Sequence, residues 1–257
     1  MTATIAHTGT IAGRHVRFLA RQPWYIGLLL MQPLIYLLLF SQLFRSVENL
    51  PGFQGSYLDF LVPAIIVMSA LNAGGWAGTA SIDDMERGVL SRLLVTPVRR
   101  GAIIFGHLAQ LALVVLVQSV TLVAIGLAIG ARFPGGVFGI GVMTIAAILI
   151  GASTGALSHA LALAARSQEA LIGASQAIIL PMTFLSSAFM VSPLMPEWMR
   201  VVAEYNPLSW AIDASRAALD PAGDPGYVLV RLVWLAVLVA VAGLVALGAF
   251  GRYRRSI

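Results

Sequence analysis

Residues 232–251 read Leu-Val-Trp-Leu-Ala-Val-Leu-Val-Ala-Val-Ala-Gly-Leu-Val-Ala-Leu-Gly-Ala-Phe-Gly, without one Asp, Glu, Lys or Arg, and Arg252, Arg254 and Arg255 follow. About 20 apolar residues of helix cross the hydrocarbon core of a bilayer. Five more charge-free stretches longer than 18 residues precede this one, at 22–44, 60–82, 101–131, 133–165 and 170–196. The two longest, of 31 and 33 residues, are too short for two spans and a turn, so each is one long helix. The reading is an all-α membrane protein forming a single transmembrane domain over 1–257. Its six transmembrane helices lie at about 24–43, 58–80, 102–130, 136–165, 170–190 and 228–250. An even number of spans puts both termini on one side.

The rest of the composition agrees. The 257 residues are 59% hydrophobic and 11% charged, where a soluble domain has about 25% charged. Mean hydropathy is +0.89. Too little polar surface exists to coat a soluble globule, which excludes an ordinary cytosolic enzyme and a disordered chain. A nucleic-acid partner is not expected either, despite a pI near 10.2. With no cysteine there is no disulfide and no thiolate metal site. All 16 basic residues are arginine.

Arginine bias orients the spans. With the N-terminus inside, eleven arginines fall on inner segments and five (Arg45, Arg132, Arg200, Arg216 and Arg231) on outer ones. Both termini are therefore expected in the cytoplasm. Arg14, Arg17 and Arg21 precede the first apolar run as a signal-peptide n-region would, but no small-x-small cleavage site follows, so the run is read as a retained span. At about 100° per residue these three arginines share a narrow face of a helix over 10–21, and Ile11, Ala12, Val16, Phe18 and Leu19 cover much of the rest. Such a helix lies on the inner leaflet with its arginines toward anionic headgroups.

Between spans two and three, Asp83 or Asp84 can cap a short helix that Pro97 stops at Thr96. Met85, Val89 and Leu93 recur on its apolar side, which must meet the bilayer or another protein. On the other side of the membrane, two short helices fit within 196–219. Pro196 opens the first, with Glu197 in its first turn. Asn206 caps the second, Pro207 takes its first position, and it runs to about Leu219. Trp198, Tyr205 and Trp210 suit a membrane interface.

Chemical motifs are sparse. Gly151-Ala152-Ser153-Thr154-Gly155 matches G-x-S-x-G, but it lies inside a membrane helix rather than on a strand-to-helix turn. His159, which would have to serve Ser153 as base in an intramembrane serine hydrolase, is about 240° around the same helix. Gly151 and Gly155 read better as a small-residue packing face. The four histidines show no metal spacing, so no metal site is expected. No span carries an acid or arginine near its middle, where an ion-coupled transporter usually places one. Asn72, Gln110, Gln118, Thr183, Ser186 and Ser187 are uncharged polar residues inside spans, fit either for interhelical hydrogen bonds or for lining a pathway. A chain without lysine carries no standard P-loop; if ATP drives it, another polypeptide hydrolyses the ATP.

Glu86-x-Gly88, followed by Leu93-Leu94-Val95-Thr96-Pro97 and Arg99, resembles the first cytoplasmic loop of ABC exporter permeases of the daunorubicin-resistance and nodulation-factor class. The C-terminal half adds Pro181, Phe184, Ser186-Ser187 and Phe189, then Pro193, Met195-Pro196, Trp198 and Tyr205-Asn206-Pro207-Leu208-Ser209-Trp210-Ala211-Ile212-Asp213, ending near Arg216. The order resembles the outer re-entrant helices of that class, and the likeness covers about residues 10–250. Ser91 and His107 depart from it, standing where many members have an acid and a basic residue.

The resemblance implies a six-span half-permease in the bacterial inner membrane, paired with itself or a sister permease. Two copies of a separate ABC ATPase would bind ATP and Mg, and this chain would bind no cofactor. The helix over 84–96 would be the coupling helix, with Asp84, Glu86, Arg87, Gly88, Leu90, Leu93, Leu94, Thr96, Pro97, Arg99 and Arg100 toward the ATPase. Trp198, Tyr205, Asn206, Pro207, Trp210 and Asp213 would belong to the outer gate. The expected cargo is a hydrophobic drug, lipid or glycolipid, the alternatives being polysaccharide export or serine hydrolysis.

Overall fold

The structure, a computed structural model, describes residues 23–49, 55–88, 100–190 and 194–255. Among these the regular structure is helical. Helix α1 (Pro23–Leu43) leads through a 3-10 turn (Arg45–Asn49) to α2 (Tyr57–Ala77) and the short α3 (Thr79–Glu86). Two long helices follow, α4 (Arg100–Ala128) and α5 (Gly136–Ala165), then α6 (Gln168–Phe184). Short α7 (Glu197–Tyr205) and α8 (Pro207–Leu219) precede the terminal α9 (Pro225–Arg255). Among the described residues, four stretches are long and apolar enough to cross a membrane: Tyr57–Glu86, Ile104–Ala128, Gly136–Ala165 and Pro225–Arg252. Leu30–Leu43 is a shorter apolar helix, and α6 has 17 residues.

Local chemistry sets the boundaries. Ser56 caps α2 by accepting from the Leu58 amide at 3.2 Å, while Glu48 accepts from the Tyr57 amide at 2.7 Å. Ser167 caps α6 by accepting from the Ala170 amide, after Arg166 ends α5 in the left-handed region at φ 56°. Asn206 accepts from the Leu208 amide at 2.9 Å and starts α8.

Helix α5 is the centre, packed on α2, α4, α8 and α9. In lipid, helices associate through close approach of small residues and interhelical hydrogen bonds rather than through apolar burial. Gly74 of α2 sits against Gly151 and Thr154 of α5, so close that an added Cβ would overlap the Gly151 carbonyl and Thr154 Oγ1. Gly155 lies against Leu111 of α4. Ser158 Oγ donates to the Gly75 carbonyl at 2.7 Å and accepts from the Gly78 amide at 3.0 Å. Ser175 of α6 donates to the same Gly75 carbonyl. Helix α9 lies at the periphery, with Leu229, Val233, Val237, Val241 and Leu244 exposed.

Two expected boundaries move. Asp83 and Asp84 do not cap a helix beginning beside them: they lie in the last turn of α3, which starts at Thr79. Gly78 interrupts the long helix, Ser158 takes up its amide, and Gly88, at φ 65°, follows the end of α3. Residues 89–99 lie outside the described part, and so do 10–21. The fifth apolar helix ends at Phe184 instead of 190. The chain beyond it turns because its carbonyls bond to side chains of α2 and α8.

Candidate functional site

A cavity of about 500 Å³ lies among α1, α2, α3 and α4, with His159 of α5 in its wall. Helical spacing assembles its polar lining: Gln32 and Tyr36 are one turn apart on α1, Asn72 and Trp76 on α2, and Gln110 and Gln118 two turns apart on α4. Asn72 Nδ2 donates to the Met68 carbonyl at 3.0 Å, which leaves its amide oxygen for a ligand. Gln118 is 4% exposed and its Oε1 is buried without a hydrogen-bond partner. Asp83 stands at the α3 end of the cavity, where Gln168 Nε2 donates to its carboxylate at 2.9 Å.

Beside Asp83 the rings of His107 and His159 stack with centroids 4.9 Å apart. Ser81 Oγ and His159 Nδ1 share a hydrogen bond of 2.8 Å, and His107 Nε2 is 3.7 Å from the Asp84 carboxylate. Ser153, by contrast, donates to the Ile150 carbonyl at 2.8 Å and is 1% exposed. The serine and histidine of the G-x-S-x-G reading thus bond to different partners.

The opposite end of the molecule holds a clasp built on Arg216 of α8. Its Nε and Nη2 both donate to the Phe60 carbonyl, at 3.1 and 3.0 Å. Its Nη1 donates to the Ser187 carbonyl at 2.7 Å, and Nη2 also reaches the Ala188 carbonyl at 3.0 Å. The guanidinium lies 3.4 Å over the Phe60 ring. Ser187 Oγ donates to Asp213 at 2.7 Å, and Asn206 Nδ2 donates to the Met182 and Leu185 carbonyls. One short helix thereby gathers the carbonyls that α6 releases at its end. Burial raises the Asp213 carboxyl above its ordinary value, against the Ser187 hydrogen bond and the Arg216 charge, which lower it.

The polar span residues divide between these places. Asn72, Gln110 and Gln118 line the cavity. Thr183, Ser186 and Ser187 lie at the clasp, where the Ser186 hydroxyl donates to the Thr183 carbonyl. Asn206 and Asp213 act within the clasp, and Trp210 Nε1 donates to the Glu204 carbonyl. Trp198 and Tyr205 are exposed on α7, and Pro207 opens α8. Asp84 and Glu86 end α3, Arg87 is its C-cap and Gly88 follows. Arg14, Arg17, Arg21, Leu90, Leu93, Leu94, Thr96, Pro97 and Arg99 lie outside the described residues, and Arg100 begins α4. Tyr36 and Trp76 have no role in the sequence reading, and Arg216 enters it as an outer arginine and as the end of a motif. The i, i+4 pairing of Gln32 with Tyr36 and Asn72 with Trp76 was the available signal.

Comparison with known proteins places this architecture. Residues 7–219 match the family described as ABC-2 type transporter. The chain is 32% identical over 221 residues to the daunorubicin resistance ABC transporter permease protein DrrB1 of Streptomyces coeruleorubidus, covering 86% of this chain and 75% of the relative. This chain belongs to the ABC-2 type transporter family. Among its other relatives are the putative transport permeases ycf38 of Cyanophora paradoxa, 28% identical over 77% of this chain and 69% of that one, and of Porphyra purpurea, 30% identical over 76% and 68%. It is an ABC transporter permease, a multi-pass membrane protein whose family associates with an ABC ATPase. Within this ABC-2 permease, the cavity and the clasp lie at opposite ends of α2: Asn72 and Trp76 toward its C-terminal end, Phe60 near its start.

Proposed function

We propose that this permease is the six-span transmembrane subunit of an ATP-driven exporter in a bacterial inner membrane, with both termini cytoplasmic. It works with two copies of a separate ABC ATPase, which hold ATP and Mg, and with a second permease, itself or a paralogue. The cargo is a hydrophobic drug, lipid or glycolipid. One observation carries the cargo class: the cavity combines carboxamides with the rings of Tyr36 and Trp76, and its described lining contains no arginine. Amides orient hydroxyl and carbonyl groups of a ligand, and aromatic walls accept its apolar body. The relative's daunorubicin resistance supports the same class. ATP-driven closure of the partner subunits pushes on the segment 84–96, rocks the spans, and releases cargo beneath α7 and α8.

The test uses inside-out vesicles holding this chain with its co-purified ATPase and a fluorescent anthracycline as cargo. Uptake requires ATP and is sensitive to vanadate. The double variant Asn72→Leu/Gln118→Leu lowers uptake roughly tenfold through lost hydrogen bonds, with insertion unchanged. A chain that purifies without an ATPase and moves no cargo overturns the exporter reading. Uptake unchanged in the double variant overturns the cavity as the cargo site.

A further inference from the structure

On the other face of α2 and α5 from the cavity, α5, α6 and α9 enclose a groove of about 690 Å³. Its walls are apolar, from Leu157 and Ile178 to Leu238 and Val245. The hydroxyls that reach it are already spent: Ser153 donates to Ile150 and Thr154 to the Ile150 and Gly151 carbonyls, while Ser158 and Ser175 donate to the Gly75 carbonyl. The groove therefore offers no free hydroxyl donor to an occupant, and its charge lies at one end. There Arg252 is its one charged lining residue among those described. Arg252 is exposed, and no carboxylate pairs with it among the described residues. From Arg252 to Leu238 the groove follows α9 for 14 residues, about 21 Å. One leaflet, its headgroup region included, is about 20–22 Å thick. At its far end the groove shares Met182 and Pro207 with a second apolar hollow of about 450 Å³ under α7.

We infer that this groove binds an anionic phospholipid, with its phosphate on Arg252 and one acyl chain lying along α9 between α5 and α6. The charge at one end, the length of a single leaflet and the apolar walls together select that occupant. A second copy of this chain would not need an unpaired cation at the end of the groove, and a zwitterionic lipid would gain less from it. The site differs from the cargo cavity and does not depend on the exporter reading.

The experiment is native mass spectrometry of the purified permease and its copurifying subunits, released from nanodiscs of phosphatidylcholine and phosphatidylglycerol with matched acyl chains. Phosphatidylglycerol is retained about fivefold over phosphatidylcholine, as expected for one basic residue at an anionic headgroup. Arg252→Gln, a surface change, abolishes the preference while phosphatidylcholine retention persists. Leu157→Trp fills the groove and lowers retention of both lipids, with gel-filtration behaviour as the control for folding. Equal retention of the two lipids by the wild type, or a preference that survives Arg252→Gln, overturns the proposal. Unchanged retention in a well-folded Leu157→Trp variant overturns the seat of the acyl chain.

Discussion

Arg216 joins three segments that are distant in the chain, because its planar fork can donate to the carbonyls of Phe60, Ser187 and Ala188 at once. A lysine is a point donor and does not reproduce that geometry. Arg216→Gln leaves carbonyls unpaired, at about 1–3 kcal/mol, which lowers the melting temperature in detergent by roughly 2–10 °C. Arg216→Lys restores less than half of the loss, and full rescue by lysine would show that charge rather than geometry matters. Asp213 sets a pH dependence on the same clasp. Its folded carboxyl is raised by burial, so the folded state holds the proton to higher pH than the unfolded chain does. The corresponding stability is present in acid and is lost as pH rises through the folded value. Melting of Asp213→Asn therefore varies less between acid and neutral pH than melting of the wild type; parallel profiles would remove Asp213 as the cause.

The close contact of α2 and α5 depends on glycine at a specific register. Gly74→Ala would drive a Cβ into the Gly151 carbonyl, an overpacking that costs about 1–3 kcal/mol. Gly106→Ala in α4 meets nothing within 4 Å and gains about 0.5–1 kcal/mol of helix stability. Opposite shifts of melting temperature in the two variants are expected; equal effects would mean that the α2–α5 contact is loose. Sequence signals at this scale were uneven. Asn206-Pro207 marks the start of α8, because cap and proline act within one turn. The restart of the helix at Thr79 was not legible, because Gly78 needs Ser158, 80 residues away, to take its amide. The end of α6 at Phe184 was hidden for the same reason: its freed carbonyls are satisfied from α2 and α8.

At the scale of the whole molecule, α2 separates two unlike spaces. Asn72 and Trp76 face the polar cavity, whereas Gly75 borders the apolar groove. If the segment 84–96 couples to the ATPase as proposed, Leu93→Asp cuts ATP-dependent uptake at least roughly tenfold while membrane insertion and expression stay normal. Normal uptake by a well-expressed Leu93→Asp variant would remove that segment from coupling. Apolar run length, charge placement and the absence of lysine are properties of composition and local order, and they suffice to identify a helical membrane protein with no P-loop. The Asn206-Pro207 start of α8 was legible as well, because that cap acts within one turn. It is the packing of the helices that puts Asn72, Gln110 and Gln118 in one cavity and Thr183, Ser186 and Ser187 at the clasp that Arg216 holds. A polar side chain inside a helix reads the same whether it faces a cavity, a backbone carbonyl or a neighbour, because its partner is set by how the helices rotate and pack rather than by the residues beside it.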